Sequence, residues 1–484
     1  MAMSLKKKAI SGILWSLTER FSMQGIQFVI SIIMARLLMP AEFGILGMIA
    51  IFINLSQLLI DSGLTLSLLR SAELDQRDYS TVFFFNLAGS FFFYMLIFFF
   101  APLISSFFHQ PSLVLISRVV ALSFLINALA GVQNTLLTKQ LDFKKLMLIQ
   151  IPSLILSSII GIGMAAKGFG VWSLIIMQLT GSLFTTIQLW LYSSWRPSLL
   201  FSVDRFKYHF AHGYKMTAAN LINSVFDEVY SIIIGRNYSA AQLGYYTRAN
   251  SVKQLPVVNL SSVLSKVTLP IFAEIQNEPE RLRNAYKTIM QQVIFWLAPL
   301  LTGMAVLAEP LFRFLFTEKW LPSVPYFQLL CIVGILHPLH SYNINILQVK
   351  SRSDLVLKLE IIKRILMVMG IAIALPFGIY GLLYFQIIFS VIAYFINSYY
   401  SGVLVNYGVK SQLNDLVQIF LLTIFMGAFC YTVDSFLISL SDWLRLILVS
   451  MSGIIFYLGT GYLIKLSPLI VFIKLLVQPK ETIK

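Results

Sequence analysis

Charge is scarce in this chain. Charged side chains make up 12% of its 484 residues, with only 21 acids, whereas 58% of residues are apolar. That balance lies far outside the range of soluble domains. Cysteine is nearly absent too. Cys331 and Cys430 are the two present, each inside an apolar run, where a small buried hydrophobe is expected rather than a disulfide. No segment between the apolar runs is long enough to hold a soluble domain, an ATPase or an extramembrane active site. No catalytic triad, paired loop carboxylates or nucleotide motif occurs. His337 and His340 lack a third ligand and read as packing; Gly161, Gly163 and Gly168 follow no strand and read as close helix packing, not a phosphate loop. These absences exclude most enzymes, and the expectation is of a non-enzymatic protein without a metal or cofactor.

What is present is apolar sequence in long runs, such as 82–100 and 416–431, each near bilayer length. Breaking the chain at glycine, proline and charge clusters gives about fourteen spans. Those used below are span 1 (11–35), span 2 (43–69), span 3 (79–104), span 4 (113–137), span 6 (169–193), span 7 (208–235), span 8 (241–269), span 12 (378–403) and span 13 (412–433). The Lys6–Lys8 cluster precedes an apolar stretch that contains Glu19 and Arg20, so it reads as the flank of an uncleaved first span. With that end inside, alternate loops place Arg70, Arg77, Lys139, Lys144, Arg196, Arg205, Lys266, Arg281, Lys350 and others inside. Only Arg36, Lys167, Arg236, Arg313 and Lys319 fall outside. Both termini are then cytoplasmic, and the net charge of +15 reflects this bias, with no nucleic-acid partner implied.

The chain repeats itself. Segments 29–44 and 229–244 share Val29/Val229, Ser31/Ser231, Ile32/Ile232, Ile33/Ile233, Arg36/Arg236, Ala41/Ala241 and Gly44/Gly244. A second echo pairs Phe169-Gly170 with Phe377-Gly378, then Gln178 with Gln386 and Ser182 with Ser390. Both copies enter the membrane in the same direction, as parallel repeats do. The expected fold is an all-α polytopic membrane protein: residues 1–200 and 201–405 as two six-helix lobes around a central cavity, and 406–484 as two extra helices with a cytoplasmic tail.

Polar side chains in lipid are costly and face an interior or a wet cavity. Span 1 carries Arg20, Gln24, Gln27 and Ser31 on one helical face. Span 2 does so with Asn54, Gln57, Asp61 and Thr65, and span 7 with Asn220, Ser224, Asp227 and Ser231. Span 8 adds Asn250, Gln254, Ser261 and Ser265, with Lys253 at the edge and Arg248 near the outer end. Spans 3, 6, 12 and 13 offer nothing comparable. The reading is a hydrated cavity lined by spans 1, 2, 7 and 8; the bland alternative is interhelical hydrogen bonding without a cavity. Charges of both signs suit a phosphate-linked sugar, with bases on phosphate and amides or carboxylates on hydroxyls. Arg20 could instead pair with Asp61. Elsewhere, Lys215 is expected to snorkel, Arg118 to reach headgroups, Glu360 and Arg364 to neutralise each other, and Pro256 to kink span 8.

The segment Ala35-Arg36-Leu37-Leu38, then Pro40 and Phe43-Gly44, resembles the signature of bacterial polysaccharide flippases. These are repeat-unit exporters of the multidrug/oligosaccharidyl-lipid/polysaccharide exporter superfamily, and the span count and duplication match as well. The resemblance implies movement of an undecaprenyl-diphosphate-linked oligosaccharide from the inner to the outer leaflet of the bacterial inner membrane by alternating access. Partners would be that lipid-linked oligosaccharide, membrane lipids and the polysaccharide polymerase machinery. Arg20 on span 1 and Arg248 or Lys253 on span 8 match the diphosphate-binding bases of related flippases; span 2 departs, offering Asp61 and no base. Gln24, Gln27, Asn54, Gln57, Asn220, Ser224, Asn250 and Gln254 would meet sugar hydroxyls. Glu19, Asp61, Asp227 or Glu228 could couple to H⁺ or Na⁺. In those relatives the last two spans form a lipid-tail groove. Two competing classes are a cation-coupled multidrug antiporter of the same superfamily and a membrane glycosyltransferase or polymerase.

Overall fold

A chain this apolar must satisfy its backbone within its own segments, and helices do so. The computed structural model describes residues 5–61, 63–71 and 73–477. For 5–14, 16, 17, 212, 215, 216, 219, 261–267, 269, 270 and 475–477 only the backbone is described. The side chains of Lys6–Lys8, Lys215, Ser261, Ser265 and Lys266 therefore lie outside the described residues. The described residues form helices and connecting turns, with no strand.

The helices are α1 (Leu5–Leu37), α2 (Pro40–Asp61), α3 (Leu64–Arg70), α4 (Gln76–Phe108), α5 (Leu113–Val120), α6 (Leu122–Lys139), α7 (Phe143–Ala166), α8 (Val171–Tyr192), α9 (Val203–Asp227) and α10 (Val229–Asn237). There follow α11 (Ala240–Glu274), α12 (Pro279–Val306), α13 (Ala308–Phe316), α14 (Val324–Val349), α15 (Ser353–Ala374), α16 (Gly378–Val405), α17 (Val409–Phe436), α18 (Asp442–Leu463) and α19 (Ser467–Val477). Among the described residues, 10 segments are long and apolar enough to cross a membrane by themselves. α1, α9 and α11 are not among them, because their polar stripes lower the mean hydropathy. Phe91, Phe92, Phe99 and Leu103 stay exposed on α4, as expected of a lipid-facing surface. The chain is a multi-pass membrane protein.

Three expected spans are each divided into two helices. Gly63 adopts a left-handed φ of 69° between α2 and α3, a conformation that glycine takes without a Cβ penalty. Span 7 bends at Glu228, between α9 and α10. Span 4 divides at Ala121. Pro256 breaks nothing, since α11 runs through it without interruption.

By contacts the chain divides into two compact units, Met1–Gly244 and Tyr245–Lys484. In the first, α1 packs on α7, α7 on α8, α4 and α8 on α6, and α9 on α2 and α3. Small residues set the closest approaches. A Cβ on Gly161 would lie 2.7 Å from that of Met177 on α8, so Gly161 does allow close helix packing. Gly163 does not, having nothing within 4 Å of that position; Gly168 instead supplies a left-handed turn with φ 81°. At one end of this unit the two copies of the repeat meet. A Cβ on Gly44 would overlap the Ala240 carbonyl oxygen, and one on Gly244 the Pro40 carbonyl oxygen. Elsewhere in the unit, Gly63 approaches Gly213, where an added Cβ would sit 2.7 Å from Cα.

The second unit buries a continuous core that includes Phe272, Tyr286, Phe295, Tyr342, Tyr394, Leu416 and Tyr457. α17 is tied into it through Asp415. That carboxylate accepts from Lys287 Nζ at 2.7 Å and Tyr407 OH at 2.8 Å, while its backbone carbonyl accepts from Gln291 Nε2 at 3.0 Å. α18 is pinned to α17 by a bidentate Arg445–Asp434 pair at 2.7 and 3.0 Å. Cys331 and Cys430 are free and buried.

Candidate functional site

The stripe on α1 opens onto a cavity of about 530 Å³ in the first unit. Glu19, Arg20, Gln24 and Gln27 line it from α1, facing Asn134 and Thr138 of α6 and Gln150 of α7. Arg20 thus sits where α6 ends and α7 begins, beside the basic Lys139–Lys145 loop.

A second cavity, of about 580 Å³, collects the stripe on α2. Asn54, Gln57 and Asp61 line it with Asn86 of α4, Asn127 and Asn134 of α6, and Ser224 of α9. Asp61 accepts a hydrogen bond from the Thr65 hydroxyl and one from its backbone N–H at 3.4 Å. Among the described residues no ion pair joins Asp61 to Arg20, and the two line different cavities. The pairing considered from the sequence is not formed.

A third cavity, of about 360 Å³, lies between α6, α7 and α8. Asn127, Gln150, Gln178, Ser182 and Thr185 give it polar groups, and no ionisable residue lines it. It shares Gln150 and Met23 with the first cavity and Asn127 with the second. Polar lining is not expected from spans 3 and 6, yet Asn86 of α4 and Gln178, Ser182 and Thr185 of α8 supply it. The signal was legible: Gln178, Ser182 and Thr185 stand at i, i+4 and i+7, one face of a helix. Asn127, Gly131, Asn134 and Thr138 repeat the pattern on α6. Single carboxamides scattered among Leu and Ile were outweighed by the mean apolarity of those spans.

Comparison with known families matches residues 33–325 to the family described as polysaccharide biosynthesis protein. The chain belongs to that family. Among curated relatives, it is 26% identical to the lipopolysaccharide biosynthesis protein WzxC of Escherichia coli (strain K12), over 81% of this chain and 82% of that one. It is also 26% identical to the teichuronic acid biosynthesis protein TuaB of Bacillus subtilis (strain 168), over 94% and 95%. The fold resembles the lipid II flippase MurJ in an inward closed conformation, with TM-score 0.75 at 14% identity, over 94% of this chain and 99% of that one. An inward-facing multidrug resistance transporter of the MATE family is also similar, with TM-score 0.60 at 17% identity, over 78% and 94%.

The second unit of this polysaccharide biosynthesis protein treats its polar residues differently. Arg248 is 7% exposed, its guanidinium 5.0 Å from the centroids of both Phe316 and Trp320, a cation–π seat. Lys253 is equally buried, and its Cδ lies 3.1 Å from where a Gly334 Cβ would stand. Asn250 and Gln254 are partly exposed on the same helix. In the first unit, by contrast, Asn220 and Asp227 of α9 are exposed, and Glu228 stands partly exposed at the break before α10. The repeat of the Gln178/Ser182 pair is filled from within: Gln386 Nε2 donates to Tyr246 OH at 3.0 Å, and Ser390 Oγ bonds His340 Nε2 at 2.9 Å. Glu360 takes both Lys363 at 2.5 Å and Arg364 at 3.3 Å, so the expected Glu360–Arg364 pair forms, with Lys363 sharing the carboxylate. Arg118 does not reach outward. It folds back onto Phe98, donating to its carbonyl at 3.2 Å.

Two further features have no residue pattern to mark them, although the resemblance implied a groove on the last two spans. An apolar groove of about 520 Å³ runs between α12, α17 and α18, past Trp296, Met304, Cys430, Val449 and Tyr457. In the first unit, buried His209 bridges Ser67 Oγ (2.7 Å, Nδ1) and Asp78 Oδ1 (3.1 Å, Nε2). All three are at most 5% exposed, so this Ser–His–Asp set joins α3, α4 and α9 and presents no nucleophile to a substrate. No group of three or more His, Cys, Asp or Glu that could hold a metal occurs among the described residues.

Proposed function

We propose that this protein flips an undecaprenyl-diphosphate-linked oligosaccharide repeat unit from the inner to the outer leaflet of the bacterial inner membrane. It works by alternating access, with both termini cytoplasmic, and feeds the polysaccharide polymerase machinery. The observation that carries this reading is Arg20, a guanidinium on the wall of a polar cavity that shares lining residues with carboxamide-rich ones. An arginine in a membrane span is expensive, and its planar fork matches phosphate oxygens. Carboxamides both donate and accept, as sugar hydroxyls do. Succinoglycan biosynthesis transport protein ExoT of Rhizobium meliloti, 26% identical over 68% of this chain, is a relative named for transport. The apolar groove along α17 and α18 would take the lipid tail. Adjacent Glu19 and Arg20 and the Asp61–Thr65 contact, all on cavity walls, are where coupling to H⁺ or Na⁺ would act; Asp227 and Glu228 flank the α9 break.

Arg20→Ala tests the reading. In a flippase-deficient strain with the cognate glycan pathway, it should abolish surface polysaccharide while the folded protein stays at wild-type level. Full export by that variant would refute the assignment.

A further inference from the structure

The 360 Å³ cavity is set apart from its neighbours by what it lacks. The first cavity contains Glu19 and Arg20 and the second Asp61, whereas no titratable side chain lines the third. Among the described residues, the carboxamides of Asn127, Gln150 and Gln178 make no protein hydrogen bond, so their donors and acceptors are available to a guest. The walls are fixed independently of those groups. Trp190 Nε1 donates to the Leu129 carbonyl at 2.8 Å, Thr186 Oγ1 to that of Ile126 at 3.1 Å, and Gln188 Nε2 to Ser153 Oγ at 2.7 Å. These bonds hold α8 to α6 and to α7. Met23, Leu154 and Met177 supply an apolar flank, suited to the C–H face of a sugar ring.

The duplication gives an internal comparison. Gln178 and Ser182 correspond to Gln386 and Ser390. In the second copy the same two groups are occupied by Tyr246 and His340 and are almost fully buried. In the first copy nothing occupies them and they line an open cavity. One copy of the pair is structural and the other is left for a ligand.

We propose that this cavity is a sugar-recognition subsite for one or two uncharged pyranose rings of the glycan, read by Gln178, Gln150, Asn127 and Ser182. This rests on the flippase reading for its biological ligand. Its volume lies at the small end of ligand pockets. Bringing a uronate here would strip its carboxylate of water with no cation to meet it, so the subsite selects neutral or N-acetylated sugars. Gln150 belongs to both this cavity and the one holding Arg20. A glycan whose diphosphate rests at Arg20 can therefore extend directly into it.

The test uses the full chain in phospholipid nanodiscs and saturation-transfer NMR. The probes are the methyl glycosides of glucose, galactose, mannose and N-acetylglucosamine, and of glucuronic acid. At least one neutral glycoside should bind about tenfold more tightly than the glucuronide. Gln150→Ala with Gln178→Ala should weaken it about tenfold, the loss of two hydrogen bonds, whereas Gln386→Ala should leave it unchanged. Should the double variant fail to fold, Gln178→Glu, of the same size, carries the same expectation. The proposal is overturned if no neutral glycoside outbinds the glucuronide, or if the folded variants bind like wild type. Binding of undecaprenyl diphosphate alone is measured in parallel. Loss of that signal with glycoside binding intact would remove the flippase reading and leave the subsite standing.

Discussion

Gly44 and Gly244, two hundred residues apart in equivalent positions of the repeat, each lie where a single methyl group would strike the start of the other's helix. The obstacles are backbone carbonyls, Ala240 for Gly44 and Pro40 for Gly244, so no side-chain rotation can relieve them. Gly44→Ala and Gly244→Ala should each destabilise the protein by about 1–3 kcal/mol. The double variant should cost little more than either alone, because one displacement relieves both clashes. Thermal unfolding in a fixed detergent reads this out. Gly25→Ala, which meets nothing within 4 Å, is the control and should be neutral or stabilising. Strict additivity of the two costs would mean that the contacts are independent.

His209→Ala should be among the more damaging substitutions in the first unit. It leaves the Asp78 carboxylate, 1% exposed, without its imidazole partner, and only the Asp75 N–H at 3.0 Å and Arg205 at 3.6 Å remain. A loss of about 2–3 kcal/mol is expected, measured by equilibrium unfolding. Asp78→Asn should recover part of it in the His209→Ala background, since the charge left unmatched is then gone.

Asp75 caps α4 from the loop before it. Its carboxylate accepts from the Asp78 N–H at 3.1 Å and the Arg77 N–H at 2.9 Å, and Asp78 reciprocates at the Asp75 N–H. The Asp78 backbone bond, first among the causes, holds the Asp75 carboxyl below the ordinary carboxylate range. A depressed native pKa contributes stability that is complete above the unfolded value of about 3.9. That contribution is lost as pH falls through the lower native value. Asp75→Ala should therefore lower stability at pH 7 by about 1 kcal/mol. The gap to wild type should close as the pH is taken below 4, and a gap constant across pH would exclude the cap as its source.

Ser450 is exposed on the wall of the apolar groove. Ser450→Trp should narrow the groove and weaken binding of an undecaprenyl-diphosphate substrate by about tenfold, as when two CH₂ groups lose their burial. Affinity for free methyl glycosides should not change. Equal loss of both would show that the substitution distorts the whole protein rather than the tail path.

How much of this was legible in the sequence depends on how far apart the partners lie. The stripes on α1 and α2 are local patterns within single helices, and they do line cavities. The α8 stripe obeys the same spacing but was hidden by the apolarity of its span. Arg248 could not be placed from its own helix, because Phe316 and Trp320 come from a short helix and the turn after it, some seventy residues on. The His209 network draws on three segments separated by up to 142 residues, with no shared periodicity to reveal it. The duplication, in turn, counts residues and not contacts, so it does not say which helices Val203–Asn237 packs against.

The residues that line the neutral cavity, Met23 apart, all fall between Asn127 and Thr186. That is one uninterrupted stretch of chain, three helices long. It holds neither Arg20 nor the apolar groove, so mutations at its positions that line this cavity alone, such as Gln178 and Ser182, can alter which sugar is read without disturbing the grip on phosphate or on the tail. A lineage could acquire a new surface glycan by exchanging this one cassette, keeping the rest of the machine and its inherited membrane insertion intact.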